Sequence, residues 1–259
     1  MDTATAAAPV TAQAKPGAVI HRIQQRGELL VGTAGDMPPL NMTTRDGKVI
    51  GYDADLGRYI SKAMGVQLKL KTMPFSELLS ALESGKVDMV ISGMTITPKR
   101  NLKAAFVGPY LSSGKCFLTK LDSLASAEDT DEIDVSNMTL TALKGSTSEN
   151  FVKALLAKAK YLPADNYDEG VKMVLDGKVD AMVADYPICA TSIIRYPEAD
   201  LASLFTLLTY EPLGIALPPN DPLLVNWMQN LLNGLDGSGI LKELKAKWFE
   251  DASWVKELP

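Results

Sequence analysis

One short element, written twice, constrains the architecture of this chain more than any other feature. "SGKVDMVISGMTITPKR", Ser84 to Arg100, returns in part over Asp176 to Pro187 as "DGKVDAMVADYP". In each copy a helix-like stretch ends at a glycine, and Lys-Val-Asp leads into an apolar run. Glycine reaches the left-handed backbone region that stops a helix, and the apolar run reads as a buried strand. Each copy is therefore the tail of a helix-then-strand unit. Gly-Lys-x-Asp is also ordinary chemistry for leaving a helix, so the repeat alone demands no shared role. Its position is more informative, because ligands of open α/β sheets bind beyond the carboxyl ends of the strands. The residues there are Ser92-Gly93-Met94-Thr95 after the first copy and Asp185 after the second.

The surrounding sequence repeats this alternation. "HRIQQRGELLVGTAG" reads as a short helix, a stop at Gly27 and a strand. Asp46-Gly47 marks a turn, after which Leu56, Tyr59, Ile60, Ala63 and Met64 recur at the helical spacing that buries one face. A strand is expected over Gln67 to Lys71, a helix from Ser76 to a glycine stop at Gly85, and a strand over Asp88 to Ile91. Strands separated by helices of this length imply mainly parallel sheets. "LDSLASAEDTDEIDVSN", Leu121 to Asn137, is acidic and weakly periodic and reads as a surface loop with a short helix. Beyond it, "LTALKG" is a strand, "FVKALLAKA" and "EGVKMVLDG" are helices, and Pro187 opens another helix. "YEPLGIALPPNDP" is a strand with a Pro-rich turn, followed by two amphipathic helices.

With 259 residues, 46% of them hydrophobic, the chain can build one large domain or two lobes. A net charge of −5 argues against nucleic-acid or anionic-membrane binding. No apolar run approaches the ~20 residues of a membrane span, so the chain reads as soluble. His21, the one histidine, lacks an acidic or nucleophilic companion and reads as a solvated helix residue. A Ser-His-Asp set, a phosphate-cradling Gly-rich loop and a metal cluster are all missing from the pattern. No cofactor and no metal is expected. Cys116 and Cys189 lack metal-ligand spacing and read as two buried thiols, a bridge between them being the alternative. The N-terminus, "MDTATAAAPVTAQAKPGA", resembles the small-residue spacer after a cleavage site, so Met1 is expected to replace a removed export signal.

The ordered set "RGELLVGTAGDMPPLNM", "GKVIGYDADL", "SGMTITPKRNLKAAFVGPYLSSG", "KGSTSEN", "GKVDAMVADYP", "YEPLGIALPPNDP" and "GILKELKAKWF" resembles the periplasmic amino-acid-binding proteins of ABC importers, solute-binding family 3. The resemblance runs from about Arg26 to Phe249. It implies an α/β, two-lobe periplasmic-binding-protein type II fold, each lobe a mainly parallel sheet flanked by helices. Residues 1–18 would be a flexible segment, 19–109 with 212–259 the first lobe, and 114–208 the second. Hinge strands would lie near 109–114 and 208–212. The implied protein is a periplasmic monomer that delivers a free amino acid to the ABC permease subunits of the membrane.

The same resemblance assigns the site. Arg100 would grip the α-carboxylate, since guanidinium matches a carboxylate two bonds at a time. Thr95, Gly93 and the turn residues Ser146 and Thr147 would assist it, and Asp185 would take the α-ammonium. Each residue also has a plainer reading: Arg100 a solvated residue at a helix start, Asp185 a helix cap, Gly93 a tight turn, Phe75 ordinary core rather than a wall for the ligand side chain. Where the family commonly carries a stacking aromatic, this chain has Met37 and Pro38. Asp36 beside them either favours a cation or forms an Asx-turn. The balance points to a neutral or moderately apolar amino acid. Cyclohexadienyl dehydratases share the implied fold and are the enzymatic alternative, but they need a glutamate acid shortly after the aspartate. Here "ADYPICATS" supplies Ile188 and Cys189, with no carboxylate before Glu198. A ligand-sensing domain of a receptor is the third reading.

Overall fold

The computed structural model describes residues 18–121, 134–203 and 209–259. Most of the acidic stretch between Leu121 and Asn137, residues 1–17 of the N-terminal segment expected to be flexible and residue Leu208 of the second expected hinge lie outside the described residues.

Two five-stranded sheets organise the chain. The first holds β1 (Glu28–Thr33), β5 (Gln67–Thr72), β6 (Met89–Val90), β7 (Ala105–Ser113) and β13 (Glu211–Leu217), in the order β5-β1-β6-β13-β7. The second holds β8 (Lys115–Thr119), β9 (Thr139–Leu143), β10 (Lys160–Ala164), β11 (Ala181–Asp185) and β12 (Ala202–Ser203), in the order β10-β9-β11-β8-β12. β2 (Asp36–Met37), β3 (Asn41–Thr43) and β4 (Val49–Ile50) form a small antiparallel sheet beside the first. This is the two-lobe α/β fold expected from the sequence. Each large sheet is parallel through its first three strands and then takes in strands that run the other way, β13 in the first and β8 in the second. The chain crosses between the sheets at Gly114, where β7 ends and β8 begins, and again before β13.

The duplicated element plays the same structural part in each lobe. Gly85 and Gly177 both take positive φ, 72° and 66°. The lysine after each closes the helix, Lys86 N–H donating to Ala81 O (2.9 Å) and Lys178 N–H to Met173 O (2.9 Å). Those bonds satisfy carbonyls that a helix end leaves unpaired. The aspartates then reach sideways to the neighbouring strand. Asp88 Oδ2 accepts from Leu30 N–H at 2.9 Å, and Asp180 Oδ2 from Thr139 N–H at 2.7 Å. The repeat is thus a joint that stitches each helix end to the strand beside it, and it aims the residues at the far end of its strand toward the interface between the lobes.

One expectation is corrected. Cys116 on β8 and Cys189 on α7 (Tyr186–Arg195) are joined in a disulfide, with their Cα atoms 6.6 Å apart, rather than standing as two thiols. The two residues are 73 positions apart and share no spacing signal. They meet because β11, which leads into α7, lies directly against β8. The bridge fastens the strand after Gly114 to the helix after Asp185.

Candidate functional site

The lobes meet at a polar cluster, and Arg100 lies at one end of it. Thr97 caps the short turn of helix Pro98–Asn101, accepting from Arg100 N–H, which fixes where the arginine leaves the backbone. Its guanidinium donates to Thr95 O (2.9 Å) in its own lobe and to Gly145 O (3.2 Å) in the other. It also lies over the Phe75 ring, 5.5 Å from the centroid. Among the described residues no carboxylate forms an ion pair with it. Burial pushes its pKa down, and the fields of Asp185 and Glu211 offset part of that. An arginine stays charged in proteins even so, so the cleft presents a half-buried cation held by two carbonyls.

Across from it, Gly145 and Ser146 turn the chain into helix α5 (Thr147–Leu155). Ser146 is the N-cap, its hydroxyl accepting from Glu149 N–H, and its own N–H is spent on Leu143 O. Thr147 begins the helix, a position whose N–H lies outside the intrahelical ladder. Its hydroxyl lies 3.5 Å from that of Thr95, so the two threonines face one another across the lobe boundary.

Asp185 lies at the carboxyl end of β11, as the repeat suggested. It does not cap the next helix: its side chain makes no capping bond. Instead Oδ2 accepts from Tyr167 OH at 3.1 Å and Oδ1 receives Lys115 Nζ at 2.6 Å. Burial, followed by the fields of Asp185 and Asp36, raises the Tyr167 pKa well above its usual value, so that hydroxyl remains a donor. Lys115 also donates to Thr147 Oγ1 at 2.6 Å and lies 3.4 Å from Glu211 Oε1. Glu211 accepts further bonds from Thr147 and Thr209. Burial pushes the Glu211 carboxyl up, but Lys115 and the surrounding threonine hydroxyls outweigh it and hold the group below its usual range.

The other expected residues lie around this cluster. Phe75 is buried and faces Arg100. Asp36 reaches across the interface, its Oδ2 accepting Tyr167 N–H at 2.9 Å, and this contact stands in place of an Asx-turn. Gly93 has φ 56°, and a Cβ there would lie 2.5 Å from the Met37 sulfur. Its N–H donates to Asp53 Oδ2 (2.9 Å), so glycine here serves close packing inside the first lobe. Met37 is buried and fills the space beside Gly93 that a side chain would need. The structure therefore gathers Arg100, Thr95, Phe75, Ser146, Thr147 and Asp185 at the interface, with Asp36 bridging at its edge, and sets Gly93 and Met37 behind it.

Sequence reasoning missed Lys115, Glu211 and Tyr167. A signal for the first two was present: Lys115 is the one charged residue of "KCFLT" and Glu211 the one charged residue of β13. A charged residue at the mouth of a fully buried strand needs a partner. The partner becomes visible only with the antiparallel register, which sets Lys115 directly opposite Asp185.

The model of the bacterial extracellular solute-binding proteins, family 3, matches residues 29–251. Among curated relatives, the cyclohexadienyl dehydratase of Pseudomonas aeruginosa is 27% identical over 235 residues, covering 89% of this chain and 86% of the dehydratase. The L-cystine-binding protein of Escherichia coli is 25% identical over 234 residues, covering 89% of this chain and 86% of its own length. Among solved structures, a binding component of an ABC transporter from Wolinella succinogenes in complex with lysine is 37% identical, with a TM-score of 0.85. That match covers 89% of this chain and 99% of the other.

Proposed function

Because the chain belongs to the bacterial extracellular solute-binding proteins of family 3, we propose that it is the substrate-binding component of an ABC amino-acid importer. It captures a free amino acid between its lobes and hands it to the permease subunits. The first lobe comprises about 19–109 and 212–259, the second about 114–208, and the monomer works in the periplasm. The lobes turn on the connections near 109–114 and 208–212.

Arg100 carries this reading. A guanidinium held between the two lobes by two carbonyls and the Phe75 ring, with no carboxylate paired to it among the described residues, is poised for an external one. A ligand carboxylate would receive the guanidinium fork together with the Thr147 N–H and the positive end of the α5 dipole. Phe75 would form a wall beside it. Closure of the lobes removes water from around these contacts and strengthens them. The acceptor end of the cleft is the pair Asp185 and Glu211.

Thermal-shift screening against the twenty standard amino acids tests this function. A ligand that binds only the folded state adds RT ln(1 + [L]/Kd), about 2.7 kcal/mol at a hundredfold excess over Kd. Capture predicts a shift from at least one compound, and a flat plate contradicts it. Dehydration is the second reading, favoured by the relationship to the P. aeruginosa enzyme. Against it, Glu211, the carboxyl nearest Lys115 besides Asp185, is held ionised and so accepts rather than donates a proton at neutral pH. Turnover of prephenate or arogenate by the purified protein would replace capture with catalysis.

A further inference from the structure

The acceptor end of the cleft already contains an ammonium group. Lys115 is 1% exposed, and its three N–H bonds have three acceptors within reach: Asp185 Oδ1 (2.6 Å), Thr147 Oγ1 (2.6 Å) and Glu211 Oε1 (3.4 Å). The other oxygens of the two carboxylates are used as well, Asp185 Oδ2 by Tyr167 OH and Glu211 Oε2 by Thr147 OH. Lys115 therefore already serves both carboxylates, Asp185 and Glu211, while Arg100 is paired with neither. An α-ammonium directed at Asp185 would meet a like charge already seated there. Either the two ammonium groups crowd each other in a low-dielectric setting, or Lys115 gives up an ion pair to make room.

We infer that Lys115 is a built-in occupant of the ammonium subsite, and that the cleft accepts carboxylates lacking an α-ammonium at least as tightly as the matching amino acids. The inference rests on capture of a carboxylate by Arg100 and refines the ligand class to include 2-hydroxy and 2-oxo acids. Such ligands present the same carboxylate to Arg100. Their α-oxygen is an acceptor, which an ammonium attracts, whereas an α-ammonium is repelled. Lys115 leaves the backbone immediately after Gly114, on the strand that the Cys116–Cys189 bridge fastens to the helix after Asp185. Its position is therefore built into the lobe rather than into a mobile surface side chain.

Titration calorimetry of the wild type and Lys115→Gln with matched pairs decides the matter. Suitable pairs are L-alanine and L-lactate, L-leucine and 2-hydroxy-4-methylpentanoate, L-phenylalanine and 3-phenyllactate, L-glutamate and 2-hydroxyglutarate, and L-arginine and its 2-hydroxy analogue. In the tightest-binding pair the wild type should hold the hydroxy acid as well as or better than the amino acid. Lys115→Gln, which uncovers two carboxylates, should shift the preference toward the amino acid by about tenfold or more. A wild-type preference for the amino acid of about threefold or more overturns the inference, and so does an unchanged order in the variant. If Lys115→Gln fails to fold, the wild-type order alone decides. If neither protein binds any of these compounds, capture of a carboxylate falls, and the inference falls with it.

Discussion

Asp36 ties the two lobes together by a contact whose strength depends on pH. Its Oδ2 accepts the N–H of Tyr167, at the start of α6 (Tyr167–Leu175), while Oδ1 is buried with no hydrogen-bond partner among the described residues. Burial is the largest influence on this carboxyl, the Tyr167 N–H opposes it and nearby Asp168 adds to it, and together they push the pKa from 3.8 up to about 6. A rise of that size corresponds to about 3 kcal/mol. The N-terminal dipole of α6 favours an anion by up to about 2 kcal/mol in a partly buried setting, so desolvation wins. Linkage sets the sign. A folded-state pKa raised above the unfolded value gives stability that is fully present below pH 3.8 and is lost as the pH rises through about 6.

Asp36→Asn keeps an oxygen for Tyr167 N–H and removes the titration. Urea unfolding of both proteins from pH 4 to pH 8 isolates the effect, because every other carboxylate cancels in the difference. Near pH 4 the two should be close in stability. Above pH 7 the variant should exceed the wild type by an amount approaching about 3 kcal/mol, an upper bound because local relaxation admits water. Parallel stability curves would show that Asp36 does not feel its burial. A wild type that gains on the variant as the pH rises would show that the α6 dipole and Arg195, which is paired with Asp168 at 2.7 Å, outweigh desolvation.

Two further outcomes concern the scaffold. Cys116→Ser opens a cross-link spanning 73 positions, for which loop entropy gives a loss of about 4 kcal/mol; reduction of the wild type should lower the urea midpoint by a matching amount, and equal midpoints would show the bridge to be idle. Asp221 is buried, caps helix α8 (Pro222–Gly237) through Leu224 N–H, and also accepts from Val19 and Ile20 N–H. Asp221→Ala strands three donors and should cost on the order of 3 kcal/mol or more in chemical denaturation, whereas a loss below about 1 kcal/mol, the usual value of a single cap, would mean that the helix Ala18–Arg26 contributes nothing there.

Features decided by neighbouring residues could be read from the sequence. Gly85 and Gly177 announce helix ends because a positive φ is a local matter, and the apolar runs after them announce strands. The roles of Asp88 and Asp180 needed the strand alongside, since each caps a backbone N–H at least 41 positions away. Strand direction was likewise hidden: β8 and β13 read as apolar runs whichever way they lie. At the candidate site, the resemblance of ordered motifs named Arg100, Thr95, Thr147 and Asp185, which the structure brings together where the lobes meet. Lys115 was not, because a lone lysine is ordinarily a solvated residue and its partner is 70 positions away. The disulfide, and the contact of Asp36 with Tyr167 131 positions on, were beyond reach for the same reason.

In the proposed function Arg100 receives the ligand carboxylate, and every other role proposed for the cleft depends on that contact. Calorimetry of the wild type and Arg100→Ala, using the tightest-binding carboxylate among the amino and hydroxy acids tried, tests it most directly. Removing one partner of a desolvated charge pair costs about 2–5 kcal/mol, so affinity should fall by tens- to thousands-fold while the urea midpoint stays in place. A variant that binds the same ligand with wild-type affinity would place the carboxylate elsewhere and contradict the assignment of this cleft.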